Sequence, residues 1–89
     1  MNIASGYSKL MVSNMNITPA FGETIRSLRL KQGFTQESFG DKCGMHRSYI
    51  GIIERGEINV TLATANKLAV ALNISLSQLI LEMENLIVE

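Results

Sequence analysis

In the middle of the chain, His46, Arg47, Ser48 and Tyr49 place imidazole, guanidinium, hydroxyl and phenol groups side by side. The Arg47 guanidinium can donate two parallel hydrogen bonds to O6 and N7 of a guanine, worth about 1–3 kcal/mol of discrimination. Ser48 can bond a base or a phosphate. Tyr49 can pack on a thymine methyl or donate to a phosphate. Ile52, one turn further on, offers an apolar contact or none, and Gly51 leaves room for close approach of a backbone. Other chemistries fail for want of partners. Cys43 and His46 are the chain's single cysteine and single histidine, too few ligands for a metal and without an orienting group for a Cys–His nucleophile. No Ser/His/Asp geometry, glycine-rich phosphate loop or aromatic stacking platform stands out. The expectation is therefore a binding protein and not an enzyme, with no metal and no cofactor, and Cys43 as a small packed residue.

These groups need elements to hold them. Thr18-Pro19 reads as a helix start, a hydroxyl N-cap followed by proline in the first turn. Phe21, Ile25 and Leu28 repeat at helical spacing, and Gly33 suits the position after the helix end, so a first helix is expected over about residues 19–32. Thr35 can cap a second helix that runs to about Cys43 and stops at Gly44. A third helix is expected from His46 to near Arg55-Gly56, with Ile50 and Ile53 on one side. Thr61 caps a fourth, whose Leu62, Ala65, Leu68, Ala69 and Leu72 form an apolar stripe ending near Asn73. Ser75-Leu76-Ser77-Gln78 has the form of a capping box for a fifth helix from Leu76 to about Leu86. That last helix carries apolar residues on more than one face. The surplus points to a dimer interface at Leu76, Ile80, Leu81, Met83, Leu86 and Ile87. Residues 1–17, rich in Ser, Asn and Met, read as a flexible N-terminal arm, and residues 18–89 as one DNA-binding and dimerisation domain.

The spacing within residues 36–55 is the most specific feature. Gly40 sits inside the second helix, where a glycine costs about 1 kcal/mol against alanine, so close contact with a crossing helix is expected there. Gly44 falls in the turn, and Ile50 and Ile53 face inward from the next helix. Small, glycine and β-branched residues at these intervals describe a helix-turn-helix. Residues 34–79, FTQESFGDKCGMHRSYIGIIERGEINVTLATANKLAVALNISLSQL, together with the first helix, resemble the lambda-repressor-like (Xre/Cro) helix-turn-helix family. The run HRSYIGIIERGEINVTL is also similar to the controller proteins of restriction–modification systems, small dimeric regulators. Two positions depart from the common pattern: His46 where Ser or Thr usually caps the recognition helix, and Val60 where Pro is frequent.

The resemblance implies an all-α, five-helix fold with the helix-turn-helix at helices 2 and 3. It implies a transcriptional regulator, repressor or activator, that binds double-stranded DNA as a homodimer on a pseudo-palindromic operator. Bound beside a promoter, such a protein would also meet RNA polymerase. Base contacts are then expected from Arg47, Ser48, Tyr49 and Ile52 at the start of the recognition helix. Phosphate contacts are expected from Thr35, Gln36, Lys42, Arg55 and Asn59, of which Gln36 and Asn59 are supported by the resemblance. It also makes Arg29 and Glu54 an internal salt bridge between the first helix and the recognition helix.

Composition bounds these readings. Eighty-nine residues with 46% apolar content make one domain with a small core, a size at which oligomerisation often adds stability. The formal net charge is zero, but it is polarised: residues 26–55 hold six cations against three anions, and residues 56–89 one cation against four anions. A lone cysteine fits a reducing cytoplasm, and no apolar run is long enough for a membrane span. The competing reading keeps the fold but makes it an antitoxin-like or other protein-interaction module, with the acidic, apolar C-terminus as its partner surface. Steep salt dependence distinguishes DNA binding from that alternative.

Overall fold

The computed structural model describes residues 17–88, which form five helices and, among the described residues, no strand. They are α1 (Ile17–Lys31), α2 (Gln36–Cys43), α3 (Arg47–Glu54), α4 (Leu62–Ala71) and α5 (Leu76–Val88). The arm read at residues 1–17 lies outside the described residues apart from Ile17, which is the first residue of α1.

Local chemistry accounts for most of the boundaries. Thr35 is the N-cap of α2, its hydroxyl accepting from the Ser38 N–H while Ser38 Oγ accepts from the Thr35 N–H, both at 2.9 Å. This reciprocal pair satisfies two donors that the helix itself cannot. Gly44 ends α2 in the left-handed region, at φ 72° and ψ 32°, where a side chain is disfavoured. Thr61 caps α4 through the Thr64 N–H at 3.1 Å. Asn73 follows α4 at φ 60°, a conformation that asparagine tolerates better than most residues.

Two cap assignments are corrected. Thr18 is not the N-cap of α1, because the helix already includes Ile17; its hydroxyl instead bonds the Asn59 side chain. At α5, Ser75 Oγ accepts from the Gln78 N–H at 3.0 Å, but the Gln78 amide turns away to Glu82 at 3.0 Å. A carboxylate one turn along α5 outcompetes the return bond, so only half of the expected box forms.

α1 packs on α3 and α5, α2 on α3 and α4, and α4 on α5. At the centre, Ile25, Phe39, Ile50, Ile53, Leu68, Leu72 and Leu79 are essentially inaccessible to solvent. Burying each such side chain contributes about 1.5–3 kcal/mol. Gly40 is where α2 meets the turn: a Cβ there would lie 2.4 Å from the Met45 carbonyl oxygen. The expected close approach is present, and its partner is the backbone leading into α3.

Met83 is 6% exposed and belongs to this core, with its remaining surface on the groove that Ile80 also lines. Leu76, Ile80 and Ile87 are half-buried against the same core. The apolar surplus of α5 is thus partly absorbed within the chain, because α5 lies between α1 and α4 and buries more than one face.

Candidate nucleic-acid interface

α3 is amphipathic in a way that fixes what it presents. Ile50 and Ile53 face the core at 0% and 1% exposure, which turns Arg47 and Ser48 outward at the start of the helix. His46 caps that start. Its Nδ1 accepts from the Ser48 N–H at 3.1 Å and lies 2.7 Å from Ser48 Oγ. The imidazole therefore does the task that Ser or Thr does more often, and the departure at this position does not leave the helix uncapped.

Arg47 is well exposed and held by an ion pair, Nη1 to Glu37 Oε2 at 2.9 Å, with Glu37 reaching over from the first turn of α2. The two line a shallow hollow with Thr35, Gln36, Ser38 and Asp41. Tyr49 is half-buried and packs against the core by its ring, leaving less of it for an outside partner than Arg47 offers. Ile52 is half-buried. Gly51 is buried, and a Cβ added to it would lie 3.1 Å from Arg55 Nη1 and 3.7 Å from the Gln36 amide. The space that Gly51 leaves is thus taken by the chain's own Gln36 and Arg55, which corrects its reading as a clearing for an outside backbone.

Behind α3 lies the expected salt bridge. Arg29 Nε donates to Glu54 Oε2 at 2.6 Å and Arg29 Nη2 to Oε1 at 3.0 Å, with side-chain exposures of 7% and 2%. Arg29 Nη1 also donates to the Phe34 carbonyl at 2.8 Å, which fastens the α1–α2 connection. Gln36 Nε2 donates to Glu54 Oε1 at 3.1 Å. One buried carboxylate thus links α1, α2 and α3, and it sets the direction of Gln36.

The remaining candidate phosphate contacts are spread out. Arg55 is exposed and bonded to Glu57 at 2.9 and 3.3 Å. These bonds hold the Glu57 carboxyl below its ordinary range and push the Arg55 guanidinium above its own. Asn59 is exposed in the loop before α4 and bonded to Thr18. Lys42 sits 5.1 Å over the Phe34 ring and lines a separate hollow with Cys43, Asn66 and Lys67. It is not grouped with Gln36 and Arg47. Cys43 is half-buried, and burial pushes its thiol up, opposed by the nearby Lys42 charge. Among the described residues, no group of three or more His, Cys, Asp or Glu side chains is placed to hold a metal, and no helix is long and apolar enough to cross a membrane.

Glu37 is the functional candidate that sequence reading missed. Its only signal was position: the first turn of α2, beside the residue expected to be a phosphate ligand. The other predicted surface divides in two. Ile80 lines an apolar groove with Ile17, Phe21, Ile58, Val60 and Leu62, whereas Leu86, 45% exposed, lines a more polar hollow with Glu23, Ser27 and Lys31. Leu81 is 48% exposed.

Comparison with known proteins converges on one class. A family model described as helix-turn-helix matches residues 25–79. Control protein C.SmaI of Serratia marcescens is 44% identical over 66 residues, spanning 74% of this chain and 79% of that protein. Control protein C.BamHI of Bacillus amyloliquefaciens is 42% identical over 60 residues, spanning 66% and 74% respectively. The crystal structure of the restriction-modification controller protein C.AhdI from Aeromonas hydrophila superposes with a TM-score of 0.67 at 42% identity, covering 70% of this chain and 94% of that one.

Proposed function

The chain belongs to the helix-turn-helix family of DNA-binding transcriptional regulators, and from that premise we propose that it controls transcription as a homodimer on a pseudo-palindromic operator. The observation that carries this reading is the presentation of α3: Ile50 and Ile53 anchor it while Arg47 and Ser48 project from its first turn. That is the geometry of a recognition helix entering a major groove by its N-terminal end. Arg47 reads a guanine, and Ser48 and the exposed parts of Tyr49 and Ile52 contact neighbouring bases. Gln36, Thr35, Arg55 and Asn59 flank them toward the phosphates, with Lys42 at the margin.

The likeness to a protein titled a restriction-modification controller supports reading this chain as such a controller, and the proposal extends to action in the cytoplasm with RNA polymerase as the machinery that it helps or blocks. The dimer face is the apolar groove around Ile80, extended by Leu62, which is 74% exposed, and by Leu81. Exposed apolar surface of this kind marks an association site. Two-fold pairing there would set the recognition helices about 34 Å apart, one turn of B-DNA.

Selection of bound sequences from a random duplex pool tests the proposal. The expected outcome is a symmetric pair of half-sites, each with a guanine whose preference falls about 5- to 150-fold in Arg47→Ala. Binding should weaken steeply as salt rises. Enrichment of no sequence, or an Arg47→Ala variant that ranks operator variants as the wild type does, would overturn it.

A further inference from the structure

We propose that Glu37 is a specificity-determining residue, which positions the Arg47 guanidinium for a guanine edge and withholds it from phosphates. The inference rests on the operator-reading role of α3. Three observations carry it. Glu37 and Arg47 belong to different helices, and their side chains are 66% and 64% exposed, so no burial forces them together; they meet at 2.9 Å on the surface that would face DNA. The contact uses one oxygen of the carboxylate and one terminal nitrogen of the guanidinium. A guanidinium carries five N–H donors in a planar fork, so donors remain for O6 and N7 while Glu37 holds the group in place. Asp41, one turn further along α2, lines the same hollow and forms no ion pair among the described residues. Asp41 is thus a carboxylate of the same hollow that is not paired with Arg47.

A carboxylate facing DNA repels phosphates and weakens binding to every sequence. Its compensating effect is discrimination. A phosphate that captures Arg47 competes with Glu37 for the same cation, and its own charge is repelled by the carboxylate. A guanine edge is neutral and meets the fork with Glu37 still bonded. The ion pair therefore lowers affinity for unrelated DNA more than it lowers affinity for the operator.

The experiment measures binding of the full chain to three duplexes: the selected operator, the operator with the guanine opposite Arg47 replaced by adenine, and an unrelated sequence. Glu37→Gln should bind the unrelated duplex more tightly and lose about 1.4- to fivefold of the guanine-to-adenine ratio, the scale of one exposed ion pair. Asp41→Asn removes the same charge without touching Arg47. It should tighten binding to all three duplexes and leave the ratio as it was. In an Arg47→Ala background, Glu37→Gln should no longer change the ratio, because the group it positions is gone. Thermal melting should confirm that the variants fold, as both carboxylates are exposed. An unchanged ratio in Glu37→Gln, an equal loss in Asp41→Asn, or the same loss in the Arg47→Ala background would overturn the inference while leaving the operator reading intact. A wild-type protein that selects no sequence overturns both.

Discussion

Glu54→Gln should be among the most damaging conservative changes available to this chain. The carboxylate accepts from Arg29 Nε at 2.6 Å, Arg29 Nη2 at 3.0 Å and Gln36 Nε2 at 3.1 Å, at 2% side-chain exposure. An amide of the same size keeps one acceptor but removes the charge, leaving the Arg29 cation buried without compensation and an N–H2 facing other donors. Removing one partner of a buried pair costs about 3–5 kcal/mol, and the retained acceptor places this variant near the lower end. At about 4–8 °C per kcal/mol for a domain of this size, the midpoint should fall by roughly 12–24 °C. Urea and thermal unfolding followed by circular dichroism measure it, at fixed protomer concentration because association shifts the apparent stability. The double variant Arg29→Met/Glu54→Leu removes both charges together. It should recover most of the loss, since apolar replacement of a buried pair is often close to neutral, less about 1 kcal/mol for the Phe34 carbonyl that Arg29 no longer serves. A Glu54→Gln loss under about 1 kcal/mol, or a double variant as unstable as the single, would refute the reasoning that an uncompensated charge is the cause.

Other outcomes follow from the same geometry. Gly40→Ala should destabilise by about 1–3 kcal/mol despite the better helix propensity of alanine, because the new Cβ meets the Met45 carbonyl oxygen; a gain in melting temperature would contradict the close approach. Leu62→Glu should shift sedimentation toward the monomer and leave the far-ultraviolet circular dichroism unchanged, since Leu62 is 74% exposed. Glu57 titrates lower in the folded chain than the ordinary 4.5, so its pairing with Arg55 stabilises the fold above that value and is lost as pH falls through the folded value. Glu57→Gln should therefore make stability less steep with pH below about 4.5, measured by urea unfolding across that range, and an identical acid limb would count against the pairing.

Helix content and order were largely legible in the sequence, because caps and terminators are local. Thr35, Gly44 and Thr61 act on backbone groups within three residues of themselves, and their chemistry reads directly from the string. What failed to read was competition between side chains. Thr18 looks like a cap until Asn59, far along the chain, takes its hydroxyl, and Gln78 looks like the return arm of a box until Glu82 offers a charge. The site shows the same division. Arg47 and Ser48 project as their helix phase requires, but the partners that fix Arg47 and Gln36 come from other elements, at separations that no periodicity encodes. Met83, expected at a dimer face, is drawn largely into the core for a related reason. A run of apolar residues does not say how much of a helix its own fold will enclose, and α5 is enclosed on more sides than one.

Capping by an imidazole has a consequence that capping by a hydroxyl lacks. While Nδ1 accepts the Ser48 amide proton, a neutral ring must carry its hydrogen on Nε2. In a neutral ring the cap thereby selects one tautomer of His46, an exposed side chain at the start of α3, and leaves its far nitrogen as a proton donor. A serine here would cap α3 as well, but its remaining O–H donor would rotate close to the backbone, whereas the imidazole Nε2–H stands farther out on a ring of fixed orientation. Here the group that starts the helix also extends the row of donors one residue ahead of Arg47.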